Sequence, residues 1–133
     1  MPNEDHDTQS NHDLGITQTC LDYVKGWFAG DAQRMQLCLH PELAKRAVKK
    51  DAQTGEVYLN HLTQADMVER TRQGGGTATP AEEQTYRVQI LDHDENIACA
   101  KVETNTYIDY LHLAMWQGRW VIVNVLYDYN RSS

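Results

Sequence analysis

The last third of the chain carries two β-rich runs joined by a two-residue turn, which restricts the fold more than any other feature. The runs are residues 106–116 and 119–127, and Gln117-Gly118 lies between them. A glycine-containing pair between two such runs is a strong signal for a β-hairpin. Counting outward from the turn predicts these cross-strand pairs: Met115 with Trp120, Leu113 with Ile122, Leu111 with Asn124, and Asp109 with Leu126.

The same count predicts that both faces of the hairpin are covered. One face would carry Asp109, Leu111, Leu113, Met115, Trp120, Ile122, Asn124 and Leu126. The other would carry Ile108, Tyr110, His112, Ala114, Trp116, Val121, Val123 and Val125. Neither set is polar enough for a solvated sheet face. We therefore expect one face to line a cavity closed by helices and the other to meet a partner subunit.

Length and charge exclude several classes of protein. A chain of 133 residues is long enough for one domain with a real core and too short for two. The formal net charge of −7 excludes nucleic acid and anionic membranes as partners, because both require clustered Lys and Arg. The sequence contains no bilayer-spanning apolar run and no apolar signal core, so we expect a cytoplasmic protein.

The cysteines and the remaining motifs imply no metal and no cofactor. The three cysteines are widely spaced and form no C-x-x-C pair, which argues against a disulfide framework and against a zinc cluster. Gly74-Gly75-Gly76 follows a predicted helix and lacks the Lys-Ser/Thr continuation of a phosphate-binding loop. We therefore interpret the three glycines as a flexible helix stop.

The N-terminal half is predicted to be mainly helical. Residues 1–12 have almost no apolar content and should be a disordered tail, which leaves 13–133 as a single domain. Apolar residues then recur at helical spacing: Ile16, Cys20, Tyr23, Val24, Trp27 and Phe28. Gly30 ends this helix, Asp31 caps a short second helix that stops at His40-Pro41, and Pro41 opens a third over 42–47.

The rest of the chain is predicted to alternate between hairpins and one helix. Val48 to Leu59 should form a small hairpin around residues 51–56. Thr63 and Asp66 can form a capping box that starts a helix ending at the three glycines. Strands over 86–90 and 98–102 precede the hairpin described above. Helices, a hairpin, a helix and then four consecutive antiparallel strands indicate an α+β fold.

This order, together with several local strings, resembles the nuclear transport factor 2-like superfamily. Within it, the chain is most similar to the putative lumazine-binding family of polyketide-cyclase-like proteins. The strings are 23–31 (YVKGWFAGD), 39–43 (LHPEL), 67–76 (MVERTRQGGG), 109–113 (DYLHL) and 118–126 (GRWVIVNVL). The resemblance implies a cone of curved antiparallel sheet packed on N-terminal helices, an internal pocket, and commonly a dimer formed through the outer sheet face.

Asp109 is the leading candidate for a catalytic residue. The predicted pairing surrounds it with apolar side chains, and a buried carboxylate must be partnered or protonated. Asn124 could supply a hydrogen bond, and the resemblance implies a carboxylic acid at a similar position in ketosteroid isomerases. The alternative is a structural Asp bonded to a helix residue such as Tyr23 or Trp27. In either case replacement by Leu should cost little stability.

The other candidate residues fall into two groups. His40 could act with Asp109 in catalysis, although capping the short helix or packing is favoured, because a lone His with no fixed carboxylate partner is a weak signal. The remaining ligand-binding candidates are Tyr23, Trp27, Leu111, Trp120 and Asn124. The predicted dimer interface comprises Tyr110, His112, Trp116, Val121, Val123 and Val125.

Three functions remain open from the sequence. The first is a homodimeric small-molecule-binding protein that holds an apolar or aromatic ligand between the first helix and the inner sheet face. The second is a lyase, isomerase or cyclase that uses Asp109 as acid or base in the same pocket. The third is a non-catalytic dimeric scaffold, because a fold does not fix a function.

Overall fold

The chain folds as an α+β structure in which three helices pack on one face of a six-stranded sheet. The computed structural model describes residues 4–132, with side chains from residue 9 onward. The helices within these residues are α1 (Glu4–Ala29), α2 (Ala32–Cys38) and α3 (Gln64–Arg72). The strands are β1 (Leu39–Lys50), β2 (Val57–Leu62), β3 (Tyr86–His93), β4 (Ile97–Thr104), β5 (Tyr107–Trp116) and β6 (Arg119–Tyr129). The predicted α+β class is confirmed.

The strands form a single curved sheet in the order β2-β1-β6-β5-β4-β3. Strands β3 to β6 are consecutive antiparallel neighbours, as predicted, whereas β1 and β6 run parallel. The core lies between the sheet and the helices, with α1 packed against β3, β4 and β6. The opposite, outer face of the sheet is not covered by any helix of the described residues.

The first helix buries the apolar stripe that the sequence predicts. Ile16 and Cys20 are fully buried, and Tyr23 and Val24 are nearly so. The helix ends at Gly30, where φ is +68° and a side chain would be strained. The Gly30 N–H donates to the Trp27 carbonyl and the Asp31 N–H to the Gly26 carbonyl, which is the Schellman pattern of helix ends.

The helix also begins earlier than the sequence predicts. Residues 4–12 were expected to be a disordered tail, but the structure places them in α1, and residues 1–3 lie outside the described part. The His12 ring packs edge-on against Trp120 with centroids 5.5 Å apart. The His93 Nε2 lies 2.7 Å from the Asp13 carboxylate. These contacts with the sheet provide the anchoring that the polar composition of the segment does not.

The predicted third helix over 42–47 is wrong, because these residues belong to β1. Leu43, Lys45 and Ala47 alternate toward the core, and all three are buried. Pro41 lacks an N–H, and it lies in the interval between Leu39 and Ala44 where the register with β6 shifts. The predicted turn over 51–56 does connect β1 to β2.

The last hairpin has the predicted turn but a different register beyond it. Met115–Trp120 and Leu113–Ile122 pair as predicted. One extra residue on β6, Val123, then forms a bulge, so that His112 lies opposite Asn124. A shift of one residue reverses the face of every following side chain. Consequently, Leu111 pairs with Val125 and Asp109 with Tyr127, not with Asn124 and Leu126.

The start of α3 is confirmed in detail. The Asp66 N–H donates to the Thr63 hydroxyl at 3.1 Å, and the Thr63 N–H donates to the Asp66 carboxylate at 2.9 Å. This reciprocal pair is the predicted capping box. It fixes the entry of α3, which carries Met67 and Arg70 to the site described next.

Candidate functional site

A pocket lies between α1, α3 and the inner face of the sheet, near the start of β5. Its apolar wall consists of Val24, Trp27, Met35, Leu62, Met67 and Val102. Its polar and aromatic residues are Tyr23, Lys45, Arg70, Thr104, Tyr107, Asp109 and Tyr127. The pocket is partly open to solvent, so a ligand can enter it from outside.

A chain of three hydrogen-bonded polar side chains lies at the inner end of this pocket. The Tyr23 hydroxyl donates to Oδ2 of Asp109 at 2.5 Å, and Nζ of Lys45 donates to the Tyr23 hydroxyl at 2.6 Å. The Lys45 Nζ is also 3.5 Å from Asp109 Oδ2. All three residues are buried. We call Tyr23, Lys45 and Asp109 the buried triad.

The three members of the triad reach the pocket from different elements. Tyr23 lies on the buried stripe of α1, Lys45 at an inward position of β1, and Asp109 at an inward position of β5. The Val123 bulge brings Tyr127 of β6 opposite Asp109. The Tyr127 ring centroid lies 4.7 Å from the Lys45 ammonium, within the range of a cation–π contact.

Burial alters the acid–base chemistry of the triad. Burial lowers the pKa of Lys45 because the charged ammonium is desolvated, and the nearby Asp109 carboxylate partly opposes this effect. Burial, followed by the negative charge of Asp109, raises the pKa of Tyr23 well above 10. Tyr23 therefore keeps its proton at neutral pH. The site thus combines an amine that is easier to deprotonate than usual with a hydroxyl placed to relay protons.

Two tyrosines line the pocket beside the triad, and a third packs against one of them. The Tyr107 ring stacks on Tyr129 at 5.6 Å and meets Tyr127 edge-on at 5.8 Å. The Lys49 ammonium lies 4.7 Å from the centroid of the Tyr129 ring. We call Tyr107, Tyr127 and Tyr129 the tyrosine rim. It offers flat apolar surface with hydroxyl groups at its edge, which suits planar ligands.

The loop after α3 packs closely on Trp27, which lines the pocket. A Cβ on Gly76 would lie 2.3 Å from the Trp27 carbonyl oxygen, and one on Gly75 would lie 2.4 Å from the Trp27 ring. Only glycine allows the loop to approach α1 this closely. The three glycines were interpreted as a flexible helix stop. They end α3 as predicted, but Gly75 and Gly76 serve to pack the loop on Trp27.

The cavity beside the triad has a volume of about 70 Å³. One water needs roughly 10–15 Å³ of such space, and an engineered cavity of about 150 Å³ binds benzene. The site therefore accommodates a few atoms as it stands, and a ring can enter fully only if side chains move. Met35 and Met67 are unbranched and change rotamer readily, so they allow this expansion.

The structure brings three of the predicted site residues together and separates the others. Tyr23, Trp27 and Asp109 line the pocket. Leu111 is in the core, and Trp120 packs against Gly15 in another part of it. Neither Leu111 nor Trp120 lines this pocket. Asn124 is exposed on the outer face, 3.4 Å from His112, so the predicted Asp109–Asn124 hydrogen bond is wrong.

His40 lies far from Asp109. Its ring packs edge-on against Trp116 at 4.7 Å, and its Nδ1 accepts the Glu42 N–H at 3.0 Å. Trp116 and Asp109 are at opposite ends of β5, about 23 Å apart along the strand. His40 is therefore a packing and turn residue in this structure, which corrects the catalytic pairing with Asp109.

The structure exposes some of the predicted interface residues and buries others. Tyr110, His112 and Trp116 are exposed, and Val123 is half-buried. Val125 lies on the inner face in the core, and Val121 is buried within the single chain. Neither can provide exposed surface, so their assignment to the interface is wrong. Leu126 replaces Val125 on the outer face, with 54% of its surface exposed.

Sequence reasoning missed most residues of the pocket, among them Lys45 and Tyr127. Lys45 falls in the segment 42–47 that was predicted to be helical, and Tyr127 lies beyond the unpredicted bulge. The alternation of Leu43, Lys45 and Ala47 would have indicated an inward lysine if residues 39–50 had been interpreted as one strand.

Among the residues that the structure describes, no group of three or more His, Cys, Asp or Glu side chains is arranged to hold a metal ion. No helix within residues 4–132 is long and apolar enough to cross a bilayer. The Cys20 thiol is buried, and burial raises its pKa to about 12, which makes it unreactive.

The chain matches the model of one protein family, described as putative lumazine-binding, over residues 11–128. No curated protein sequence matches it. It is similar to an NTF2-like (nuclear transport factor 2-like) protein of unknown function from Silicibacter pomeroyi, with 20% identity, a TM-score of 0.68, and coverage of 92% of this chain and 98% of that one. Another such protein, from Shewanella baltica, has 15% identity, a TM-score of 0.70, and coverage of 92% and 97%.

A third NTF2-like protein of unknown function, from Methylobacillus flagellatus, is 19% identical with a TM-score of 0.67 and coverage of 90% and 93%. At these identities the similarity establishes the fold alone. The fold is nuclear transport factor 2-like, as the sequence resemblance implies.

Proposed function

We propose a function for this chain, which belongs to the putative lumazine-binding family. It binds a small planar organic molecule in the pocket beside the buried triad. The observation that carries the proposal is the triad itself, a hydrogen-bonded Lys45–Tyr23–Asp109 chain at the inner end of a partly open pocket. Desolvation of two charged groups costs free energy that an apolar core avoids. A polar cluster of this kind is consistent with recognition of a ligand.

The surroundings of the triad suggest the chemistry of the ligand. Lys45 and Arg70 provide two cationic groups in the pocket against the single carboxylate of Asp109, although the whole molecule carries a formal charge of −7. This local excess of donors favours a ligand with a carbonyl, enolate or carboxylate oxygen directed toward Lys45. The tyrosine rim and Trp27 favour a flat body.

A binding screen with matched variants tests the proposal. Small planar heteroaromatic compounds, lumazine included, are added to the purified protein, and the melting temperature and native mass spectrum are recorded. A ligand of this site should raise the melting temperature of the unmodified protein and of Lys50→Met, an exposed position on the same strand. The same ligand should not change the melting temperature of Lys45→Met. Equal binding to both variants would contradict the assignment of the site.

A second candidate function is acid–base catalysis in the same pocket. The observation that favours it is that Asp109 has two titratable groups within 3.5 Å, in a pocket that opens to solvent. A base so placed can remove a proton next to a ligand carbonyl. Exchange of such protons for deuterium, followed by NMR, would distinguish an enzyme from a binding protein.

The outer sheet face further supports a homodimer. Large apolar residues are exposed there on four adjacent strands, namely Leu59, Val48, Leu126 and Tyr110. A contiguous patch of this kind is larger than a monomer usually leaves in water. A second copy of the chain, related by a two-fold axis, would cover it with the same residues.

A further inference from the structure

We propose that Lys45 is a carbonyl-reactive amine that holds a small aldehyde or ketone ligand as an imine. This inference rests on the proposed function, since it places a ligand in the same pocket and names its chemical class. It differs from an ordinary binding site because the ligand becomes covalently attached.

The position of the Lys45 Nζ supports this role. Two of its contacts are fixed by the triad, to the Tyr23 hydroxyl at 2.6 Å and to Asp109 at 3.5 Å. The remaining side of the ammonium lies over the Tyr127 ring, and Lys45 lines the cavity. The amine is therefore anchored at the cavity surface, where a small ligand would meet it.

The surroundings favour a neutral, nucleophilic amine. Burial lowers the pKa of Lys45, and the charge of Arg70 acts in the same direction. The groups that face it from other elements are Tyr23, Asp109 and Tyr127, of which Asp109 alone strongly favours the charged form. A lysine in such a setting has a larger neutral fraction at pH 7 than one in water.

The triad also provides a route for the protons that imine formation releases. The Nζ lone pair forms the new bond to the carbonyl carbon, and the carbon–oxygen bond breaks. The carbonyl oxygen takes both amine protons and leaves as water. Tyr23 relays these protons, with Asp109 holding one between the two transfers, because its carboxylate already accepts the Tyr23 hydroxyl. No oxidant or reductant is required.

The size of the cavity limits the ligand. About 70 Å³ admits a carbonyl group with a short substituent next to Lys45, and any larger part of the ligand must lie on the tyrosine rim. The apolar wall keeps bulk water from the nitrogen, which slows hydrolysis of the imine.

Reductive trapping on the intact protein tests the inference, with the other lysines as internal controls. The full chain is incubated with propanal and cyanoborohydride near pH 7, and peptide mapping measures the rate at which each lysine gains a propyl group. Lys25, Lys49, Lys50 and Lys101 are all exposed or half-buried. Lys45 should react faster than each of these four, because a lowered pKa raises the fraction of the amine that is neutral.

A rate for Lys45 equal to or below those of the other four would overturn the inference. If a ligand found in the binding screen still requires Lys45, the proposed function survives that result. Tyr23→Phe tests the relay: the ratio of Lys45 labelling to labelling of the other lysines should drop about tenfold or more. In this variant the labelling ratio should also fall as the pH rises above neutral, because protons from solvent become scarce there. An unchanged ratio and pH profile would exclude the relay.

Discussion

At the scale of single residues, the pairing of Lys45 with Asp109 reverses an expectation drawn from the sequence. A lone buried carboxylate should be replaceable by Leu at little cost. In the structure its charge is matched by an ammonium 3.5 Å away, and both side chains are about nine-tenths buried. Removing either partner leaves the other as an uncompensated buried charge, which is more costly than removing both.

Single and double substitutions should therefore be strongly non-additive. We expect Lys45→Met and Asp109→Leu each to lower the free energy of unfolding by about 3 kcal/mol, since they break a buried pair. The double variant should be near the unmodified protein or above it, because no buried charge remains. Urea denaturation of the four proteins gives the coupling energy. If the two losses simply add in the double variant, Lys45 and Asp109 are not energetically coupled as an ion pair.

The stability difference between the unmodified protein and Lys45→Met should depend on pH. The pKa of Lys45 is lower in the folded protein than the 10.5 of the free side chain, so the unfolded state binds more protons between these two values. The stability of the unmodified protein relative to Lys45→Met should therefore rise as the pH increases through that window. The opposite slope would indicate that Asp109 outweighs burial. Lys50→Met, at an exposed position, is the control.

At the scale of elements, the capping box of α3 offers a clean test because its contacts are local. Thr63→Ala removes the hydroxyl that accepts the Asp66 N–H. We expect a loss of about 1 kcal/mol in the free energy of unfolding, measured by urea denaturation. Thr106→Ala, in the exposed turn before β5, caps no helix and should change stability little. Equal effects of the two substitutions would argue against the cap as the cause.

The elements that the sequence predicted correctly are those specified by local chemistry. Three features depend only on residues that are close together in the sequence. They are the capping box at Thr63, the glycine at 30 and the turn at Gln117-Gly118. The errors arose where long-range pairing decides. Valine is not a residue type that marks a bulge. Only the fit of β6 between β1 and β5 places the bulge at Val123.

The candidate site was predictable only where the position of a side chain does not depend on these register changes. Asp109, Tyr23 and Trp27 were identified because their positions follow from α1 and from the inward alternation of β5. Lys45 was not, because residues 42–47 were predicted to form a helix, which lacks the two-residue alternation that places Leu43, Lys45 and Ala47 on one face. Its inward position results from the pairing of β1 with β6, which depends on tertiary structure.

At the scale of the whole molecule, the two sheet faces differ in how they are covered. The helices and the pocket occupy the inner face of the curved sheet, and no helix within residues 4–132 covers the outer face. A change on the outer face should therefore affect assembly without altering the pocket directly. The bulge at Val123 decides which side chains of β6 serve each purpose.

This separation makes assembly testable on its own. Leu126 lies beside Tyr110 on the outer face, and both are about half exposed in the single chain. Stable dimers bury roughly 800 Å² per partner, with apolar side chains at the centre. Leu126→Asp should thus shift the protein from dimer to monomer in sedimentation at micromolar concentration. Leu37→Asp, at a similarly exposed position on α2, should leave the dimer intact. If the unmodified protein sediments as a monomer, its exposed outer face requires another explanation, whereas the pocket and its triad, which lie on the inner face within one chain, would be unaffected.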